Sequence, residues 1–165
     1  ASPRARACGS KEAKVTLQNL LRIGRLNEHA PTAAEISRLL TAIDRNIVDA
    51  AVGSISEATR FDAAYKAVMQ CAFVAVLAAG YRPATSEPGH HQTLLQSLPL
   101  TLGAANEVWI VLDALRRQRN ANDYTGQPIT AAAMSECIAQ AKGLRVVLQS
   151  HLAAKHPELL TTNKR

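Results

Sequence analysis

The residues best suited to chemistry lie in one short stretch, LDALRRQRNANDYTG at 112–126. Guanidinium groups bind carboxylates and phosphates through paired hydrogen bonds, and amide, carboxylate and phenol groups add further hydrogen-bonding atoms. The stretch combines all of these side chains within nine residues: Arg116, Arg117, Arg119, Asn120, Asp123 and Tyr124. Residue type and spacing therefore make it a candidate site for an anion such as a phosphate.

Arg119 is the unusual member of this cluster, because helical spacing places it on an apolar face. Val108, Leu112 and Leu115 recur at the spacing of one helix face. At about 100° per residue, Arg119 projects within roughly 20° of Leu112 and Val108. A guanidinium in this position needs an acceptor, which a carboxylate, a carbonyl, a partner chain or a ligand phosphate can supply.

The same spacing also allows a purely structural interpretation of the cluster. Asp113 and Arg117 are four residues apart, as are Arg119 and Asp123, so each pair can form an ion pair along a helix surface. Cations near the end of a helix also interact favourably with the helix dipole. The sequence leaves both interpretations open.

His90 and His91 are a second candidate pair, at the start of a short predicted helix. Adjacent side chains on a helix point about 100° apart, so the two imidazoles are poorly placed to hold one metal ion. Capping or loop hydrogen bonds are the simpler expectation for both. His29, His151 and His156 lie near helix ends and are expected to face solvent or act as caps. No metal site and no cofactor is expected.

Composition predicts a helical globular protein. Of 165 residues, 47% are hydrophobic and 19% are charged, which excludes a disordered chain. Thirty alanines and 19 leucines, against 18 valines and isoleucines, favour helices over sheet. Only 4% of residues are aromatic, which argues against a base-stacking platform for single-stranded nucleic acid.

The net charge of +6 is weaker evidence for nucleic-acid binding than it first suggests. Without the cations near the two ends of the chain, 14 basic residues remain against 13 acidic ones; those end residues are Arg4, Arg6, Lys11, Lys164 and Arg165. Such tails are often only solvated. The local arginine cluster therefore carries more information than the overall charge.

The hydrophobic periodicity predicts six helices and no strand. The predicted helices cover residues 11–28, 32–53, 56–79, 90–98, 104–123 and 130–156. Thr32 and Thr130 are the expected N-terminal caps of the second and last helices, and either Ser54 with Glu57 or Ser56 caps the third. The second helix opens with a T-x-x-E capping box. The third becomes apolar all round from Cys71 onward, which is typical of a helix in the middle of a bundle.

These elements predict an all-α, up-and-down bundle of four long helices with one or two short ones. We expect one domain at 11–156, a flexible N-terminal tail at 1–10 and a C-terminal tail at 157–165. Cys8, Cys71 and Cys137 are too widely spaced for a metal cluster, and the latter two are expected in the core.

Membrane insertion is not expected. The longest apolar run, Cys71–Ala79, has nine residues, which is far short of a membrane span. The first ten residues contain no apolar stretch typical of a secretory signal, so we expect a cytoplasmic protein.

Several short blocks occurring in order give the chain a resemblance to the HEPN family. They are RFDAAYKA at 60–67, GYRP at 80–83, GHH at 89–91 and the stretch at 112–126, and the likeness covers roughly residues 32–155. The chain most resembles a bacterial subgroup with RN-x2-DY in place of the family's R-x4-6-H motif. In this sequence those positions are Arg119, Asn120, Asp123 and Tyr124.

The resemblance implies a compact helical domain, often dimeric, that binds nucleotides or RNA. Catalytic HEPN domains are metal-independent endoribonucleases, in which the motif arginines and histidines of two chains meet in one cleft. Arg119 matches the motif arginine, whereas Tyr124 occupies the histidine position. A phenol with a pKa near 10 is a poor general base at neutral pH, so cleavage requires an imidazole from His90 or His91.

Two functional hypotheses follow from the resemblance. The first is a catalytically silent module that binds a nucleotide, RNA or a protein partner. The second is an endoribonuclease toxin paired with a nucleotidyltransferase antitoxin, which in such pairs can transfer AMP to a tyrosine near the motif. The implied catalytic residues are Arg119, Asn120 and Tyr124, and the implied substrate-binding residues are Arg116, Arg117, Asp123, His90 and His91.

Overall fold

The computed structural model describes residues 15–86 and 89–161, and over these residues it confirms the all-α prediction. Four helices are long and two are short, as expected. The elements are α1 (Leu17–Arg22), β1 (Leu26–Glu28), α2 (Ala33–Ala50), α3 (Glu57–Ala78), β2 (Tyr81–Pro83), α4 (His90–Thr101), α5 (Asn106–Thr125), α6 (Ala131–Lys155) and a 3-10 turn at Pro157–Leu159.

Helix α3 is the central helix of the bundle. It contacts α2, α4, α5 and α6, and most of its side chains from Phe61 to Ala78 are buried. Phe61 and Leu77 are among the largest fully buried side chains, and each contributes about 1.5–3 kcal/mol through burial. By length and composition α3 is the one described helix that could cross a membrane, but 72% of its most apolar window is buried inside the protein.

Hydroxyl side chains begin three of the long helices, and of the two serines considered for α3 the structure uses Ser56. Thr32, Ser56 and Thr130 each accept a hydrogen bond from the backbone N–H three residues later, at 3.1–3.2 Å. These bonds satisfy amide groups that have no partner within the helix. Gly80 follows the end of α3 at φ 93°, a conformation that disfavours any residue with a β-carbon.

The two thiols expected in the core are buried, together with apolar side chains of α6. Leu148, Leu152 and Cys137 of α6 are fully buried, as is Cys71 of α3. Burial raises the pKa of both thiols to about 12, so they remain protonated and behave as small apolar groups.

The prediction of no strand is wrong, because β1 and β2 form a small antiparallel pair. Leu26 lies opposite Pro83 and Glu28 lies opposite Tyr81. The predicted first helix at 11–28 is correspondingly too long: α1 ends at Arg22, and residues 11–14 lie outside the described part. Strand pairing between segments more than fifty residues apart leaves no periodic signal in either segment.

Two further boundaries differ from the prediction. Helix α4 continues through Pro99 to Thr101, where the proline removes only one hydrogen bond near the helix end. The C-terminal tail predicted from residue 157 instead begins with a 3-10 turn, whose Leu159 is buried against the core. The predicted tail at 1–10, with Cys8, lies outside the described residues.

Candidate functional site

A cleft of about 540 Å³ opens between α3, α4 and α5, beside the end of β2. Its size suits a small organic ligand or part of a larger one. One part of its wall is apolar and includes Met69, Phe73 and Leu94. The polar part is formed by Asp62, Lys66, His90, His91 and Arg119, with Tyr65 beneath them.

Helix α3 supplies one wall of the cleft through a single stripe. Between Phe61 and Ala78 nearly every side chain is buried, and the less buried ones include Asp62, Lys66, Gln70 and Phe73. Their spacing of three or four residues places all four on one helix face. The central helix is therefore buried on every side except the one that faces the cleft.

Arg119 lies in this cleft between two carboxylates. Its Nε is 3.6 Å from Asp62 Oδ1, and its Nη1 is 3.8 Å from Asp123 Oδ2. Both distances exceed those of a hydrogen bond. The Nε atom is buried and has no hydrogen-bond partner among the described residues. An unsatisfied buried donor of this kind is costly to the fold.

Tyr65 joins the arginine to one of the histidines. The Arg119 Cζ lies 4.9 Å from the centroid of the Tyr65 ring, at cation–π distance. The Tyr65 hydroxyl lies 3.3 Å from His91 Nδ1, within hydrogen-bond range. Burial raises the pKa of Tyr65 to about 12, against the opposing charge of Arg119, so the phenol stays protonated at neutral pH.

The two predicted histidines both line the cleft. Their rings contact each other edge to face, with centroids 4.6 Å apart. Burial lowers the pKa of His91, and the nearby charges of His90 and Arg119 lower it further. His91 is therefore a neutral imidazole at pH 7, able to accept or donate a proton according to its tautomer.

Arg116 and Arg117 are held by Asp113. The Arg116 Nε lies 2.9 Å from Asp113 Oδ1, and the Arg117 Nη2 lies 3.0 Å from Asp113 Oδ2. The interpretation of Asp113 and Arg117 as an ordinary surface pair is wrong for Asp113, which is only 6% exposed. Its position on the buried side of α5 makes two arginine partners necessary. Neither arginine is among the residues that line the cleft.

The remaining candidates of the stretch at 112–126 lie around the cleft. Asn120 is half-buried beside Arg119 but does not line the cleft. Tyr124 is 86% exposed and also lies outside it. Asp123 places a carboxylate beside the cleft through its contact with Arg119.

Sequence reasoning missed Asp62, Tyr65 and Lys66 as site residues, although all three lie in the block RFDAAYKA. The available signal was the pair Asp62 and Lys66, two charges four residues apart on a largely apolar helix. Burial raises the pKa of Asp62, and the negative charge of Asp123 raises it further, while Arg119 opposes both. The two carboxylates therefore face the same guanidinium.

The fold and the cleft define an all-α protein with an arginine-containing pocket. Comparisons with protein-family models, with curated proteins and with solved structures find no match.

Proposed function

We propose that this chain is a HEPN-like helical protein of the cytoplasm that binds the phosphate of a nucleotide or an RNA in the cleft, with Arg119 as the anion-binding group. The observation that carries this proposal is the state of Arg119. Its guanidinium lies in a cleft, its Nε is buried without a hydrogen bond among the described residues, and its two carboxylate contacts are long. A phosphate oxygen satisfies such a donor well.

The rest of the cleft supports a ligand with both a charged and an apolar part. Lys66 provides a second cation in the same cleft, and the imidazoles of His90 and His91 provide hydrogen-bonding groups. Met69, Phe73 and Leu94 offer an apolar surface on which a base or sugar can pack. A nucleotide unit has this combination of groups.

Binding of RNA to single-arginine variants tests the proposal. The probe is a fluorescein-labelled single-stranded RNA of about ten nucleotides, followed by fluorescence anisotropy at about 150 mM salt. Arg119→Met is expected to weaken binding at least about tenfold, since it removes charge-assisted hydrogen bonds.

Arg117→Met is the matched control, because it removes the same charge from the same helix. The Arg117 side chain is 68% exposed and paired with Asp113, outside the cleft. We expect its loss to weaken binding less than about threefold, through general electrostatics alone. Equal losses in the two variants contradict a specific site at Arg119, as does unchanged binding by Arg119→Met.

A second candidate function, metal-independent RNA cleavage, is favoured by the position of His91. The HEPN histidine position holds Tyr124, which is exposed and outside the cleft, but His90 and His91 line the same cleft as Arg119. A neutral His91 can take the proton of a ribose 2′-hydroxyl, whose oxygen then attacks the adjacent phosphorus. The 5′-oxygen leaves with a proton from a second acid, and Arg119 stabilises the charge on the phosphorane.

Incubation of RNA in EDTA distinguishes the two functions. If the protein is an endoribonuclease, wild type and Tyr124→Phe cleave while Arg119→Met and His91→Gln lose at least about a hundredfold in rate. RNA binding without cleavage by wild type supports the silent binding module. Slowed growth on expression, relieved by a co-expressed nucleotidyltransferase, is the further outcome that the toxin hypothesis requires.

The proposal includes a homodimer with α5 at the interface. Only Leu112, Asp113 and Leu115 are buried among the 20 residues of α5. Its outer side carries Ile110, which is 56% exposed, followed one turn later by the small residue Ala114. A long helix with so little buried surface is expected to gain stability from a partner.

Sedimentation velocity tests the dimer. We expect wild type to sediment as a dimer and Ile110→Glu to sediment as a monomer. Val48→Glu is the control, because Val48 is 66% exposed but lies on α2. A monomeric wild type rejects this part of the proposal, and a monomer produced equally by both variants rejects the placement on α5.

A further inference from the structure

We infer that Asp62 is a specificity-determining residue that limits the charge of the anion accepted at Arg119, so that the cleft prefers a phosphodiester to a terminal phosphate. This inference rests on the proposed function and narrows it, because phosphodiesters occur inside a nucleic-acid chain whereas free nucleotides end in phosphomonoesters. The inference depends on the charged groups that surround the Arg119 guanidinium.

Those charges nearly cancel among the described residues of the cleft. Lys66 and Arg119 are the cations that line it, and Asp62 lines it as a carboxylate. Asp123 adds a second carboxylate at 3.8 Å from the same guanidinium. Outside the lining, one carboxylate, Asp113, is shared by Arg116 and Arg117, and inside it His91 is neutral at pH 7 because burial lowers its pKa. The two carboxylates therefore offset much of the attraction that Lys66 and Arg119 offer to a phosphate.

A small potential favours the anion with the lower charge. Coulomb attraction grows in proportion to the charge of the ligand, whereas the cost of removing an ion from water grows roughly with its square. A phosphomonoester carries nearly two charges above pH 7, and a phosphodiester carries one. Where the charges of the site nearly cancel, a dianion therefore loses more hydration free energy than it gains from attraction to the site.

Asp62 is placed to act as this limit without being needed to hold the fold. Its side chain is 49% exposed, and its Oδ1 faces the buried Nε of Arg119 at 3.6 Å. That distance allows attraction but no hydrogen bond, so the guanidinium keeps its donor for a ligand. Replacing the carboxylate by an amide of the same shape removes one charge and little contact.

Two ligands that differ by one charge test the inference. They are adenosine 5′-monophosphate and its methyl phosphodiester, measured by calorimetry or by displacement of labelled RNA at about pH 7.5. We expect wild type to bind the methyl ester at least as tightly as the monoester. Tighter binding of the monoester by wild type overturns the inference.

Asp62→Asn gives the quantitative part of the test. A half-exposed carboxylate close to the bound anion is expected to weaken binding of the monoanion about threefold. Because the effect scales with ligand charge, the affinity of the variant should be about threefold higher for the methyl ester and about tenfold higher for the monoester. Asp49→Asn removes an exposed carboxylate elsewhere, on α2, and is expected to change neither affinity.

The controls separate failure of this inference from failure of the proposed function. If Arg119→Met loses both ligands but Asp62→Asn gains equally for both, only the inference is rejected. If neither ligand binds wild type up to about 10 mM, or Arg119→Met binds both normally, the proposed function is rejected as well. Circular dichroism of each variant establishes that it is folded. Asp123→Asn removes the second carboxylate and is expected to shift both affinities in the same direction as Asp62→Asn.

Discussion

Replacing Arg119 by methionine tests whether this guanidinium serves the fold or is held for a ligand. Methionine keeps an unbranched side chain over the Tyr65 ring, and its sulfur makes favourable contacts with aromatic groups. The change removes the charge, the long ion pairs to Asp62 and Asp123, and the buried Nε that has no hydrogen bond among the described residues.

The expected change in the free energy of unfolding is small, because losses and gains oppose each other. The lost cation–π contact with Tyr65 is worth about 0.5–2 kcal/mol. The two long ion pairs are partly exposed and contribute about 0–1 kcal/mol. Removing an unsatisfied buried donor raises the free energy of unfolding by about 1–3 kcal/mol. We therefore expect Arg119→Met to lie within about 1 kcal/mol of wild type.

Arg116→Met is the matched comparison on the same helix. The Arg116 Nε lies 2.9 Å from Asp113 Oδ1, and the two side chains are 20% and 9% exposed. Its removal leaves a buried carboxylate with Arg117 as its remaining arginine partner, so we expect a loss of about 1–3 kcal/mol.

Urea denaturation followed by circular dichroism measures both variants, with linear extrapolation to zero denaturant. The reasoning requires Arg116→Met to be clearly less stable than Arg119→Met. If Arg119→Met instead loses more than about 2 kcal/mol, its guanidinium is part of the structure, and the main support for an anion site at this residue is lost.

Three further predictions concern pH and packing. Because burial lowers the pKa of His91, the unfolded chain binds a proton more readily than the folded chain as pH falls below about 6.5, and the free energy of unfolding decreases. His91→Gln should reduce this decrease between pH 7 and about 5.5, as measured by urea titrations. An equal decrease in wild type and variant contradicts a lowered pKa at His91. The His29 imidazole, 2.9 Å from Glu35, lowers the pKa of that carboxyl. The pair therefore stabilises the fold above about pH 4.5, and this stabilisation is lost in acid. Glu35→Gln should lower the free energy of unfolding by less than about 1 kcal/mol at pH 6 and make the melting temperature depend less on pH in acid. Leu148→Ala should lower the free energy of unfolding by about 2–5 kcal/mol, because this side chain is fully buried, and a smaller loss by urea denaturation contradicts its place in the core.

The helices were largely predictable because their signals are local. A hydroxyl cap, a recurrence of apolar residues every three to four positions and a following glycine or proline all lie within one segment. The beginnings of α2, α3 and α6 at Thr32, Ser56 and Thr130 follow from such signals. The β1–β2 pair was missed because neither three-residue strand has a periodic pattern of its own.

The candidate site was only half predictable for the same reason. Helical spacing alone places Arg119 on the apolar side of α5, and the sequence also drew attention to His90 and His91. It could not show that Tyr124 is exposed outside the cleft or that Arg116 and Arg117 both pair with Asp113. Those outcomes depend on how α5 is rotated against α3 and α4.

The amino-acid sequence by itself determined the helical class, most helix boundaries and the presence of a guanidinium on an apolar face, since each depends on interactions within a few residues. The tertiary structure alone decided that Asp62, Tyr65 and His91 surround that guanidinium. These residues come from α3 and α4, and Asp62 is 57 positions from Arg119 in the chain. Only the packing of three helices around a common cleft brings their side chains within a few ångströms, because no local pattern encodes contacts over that separation.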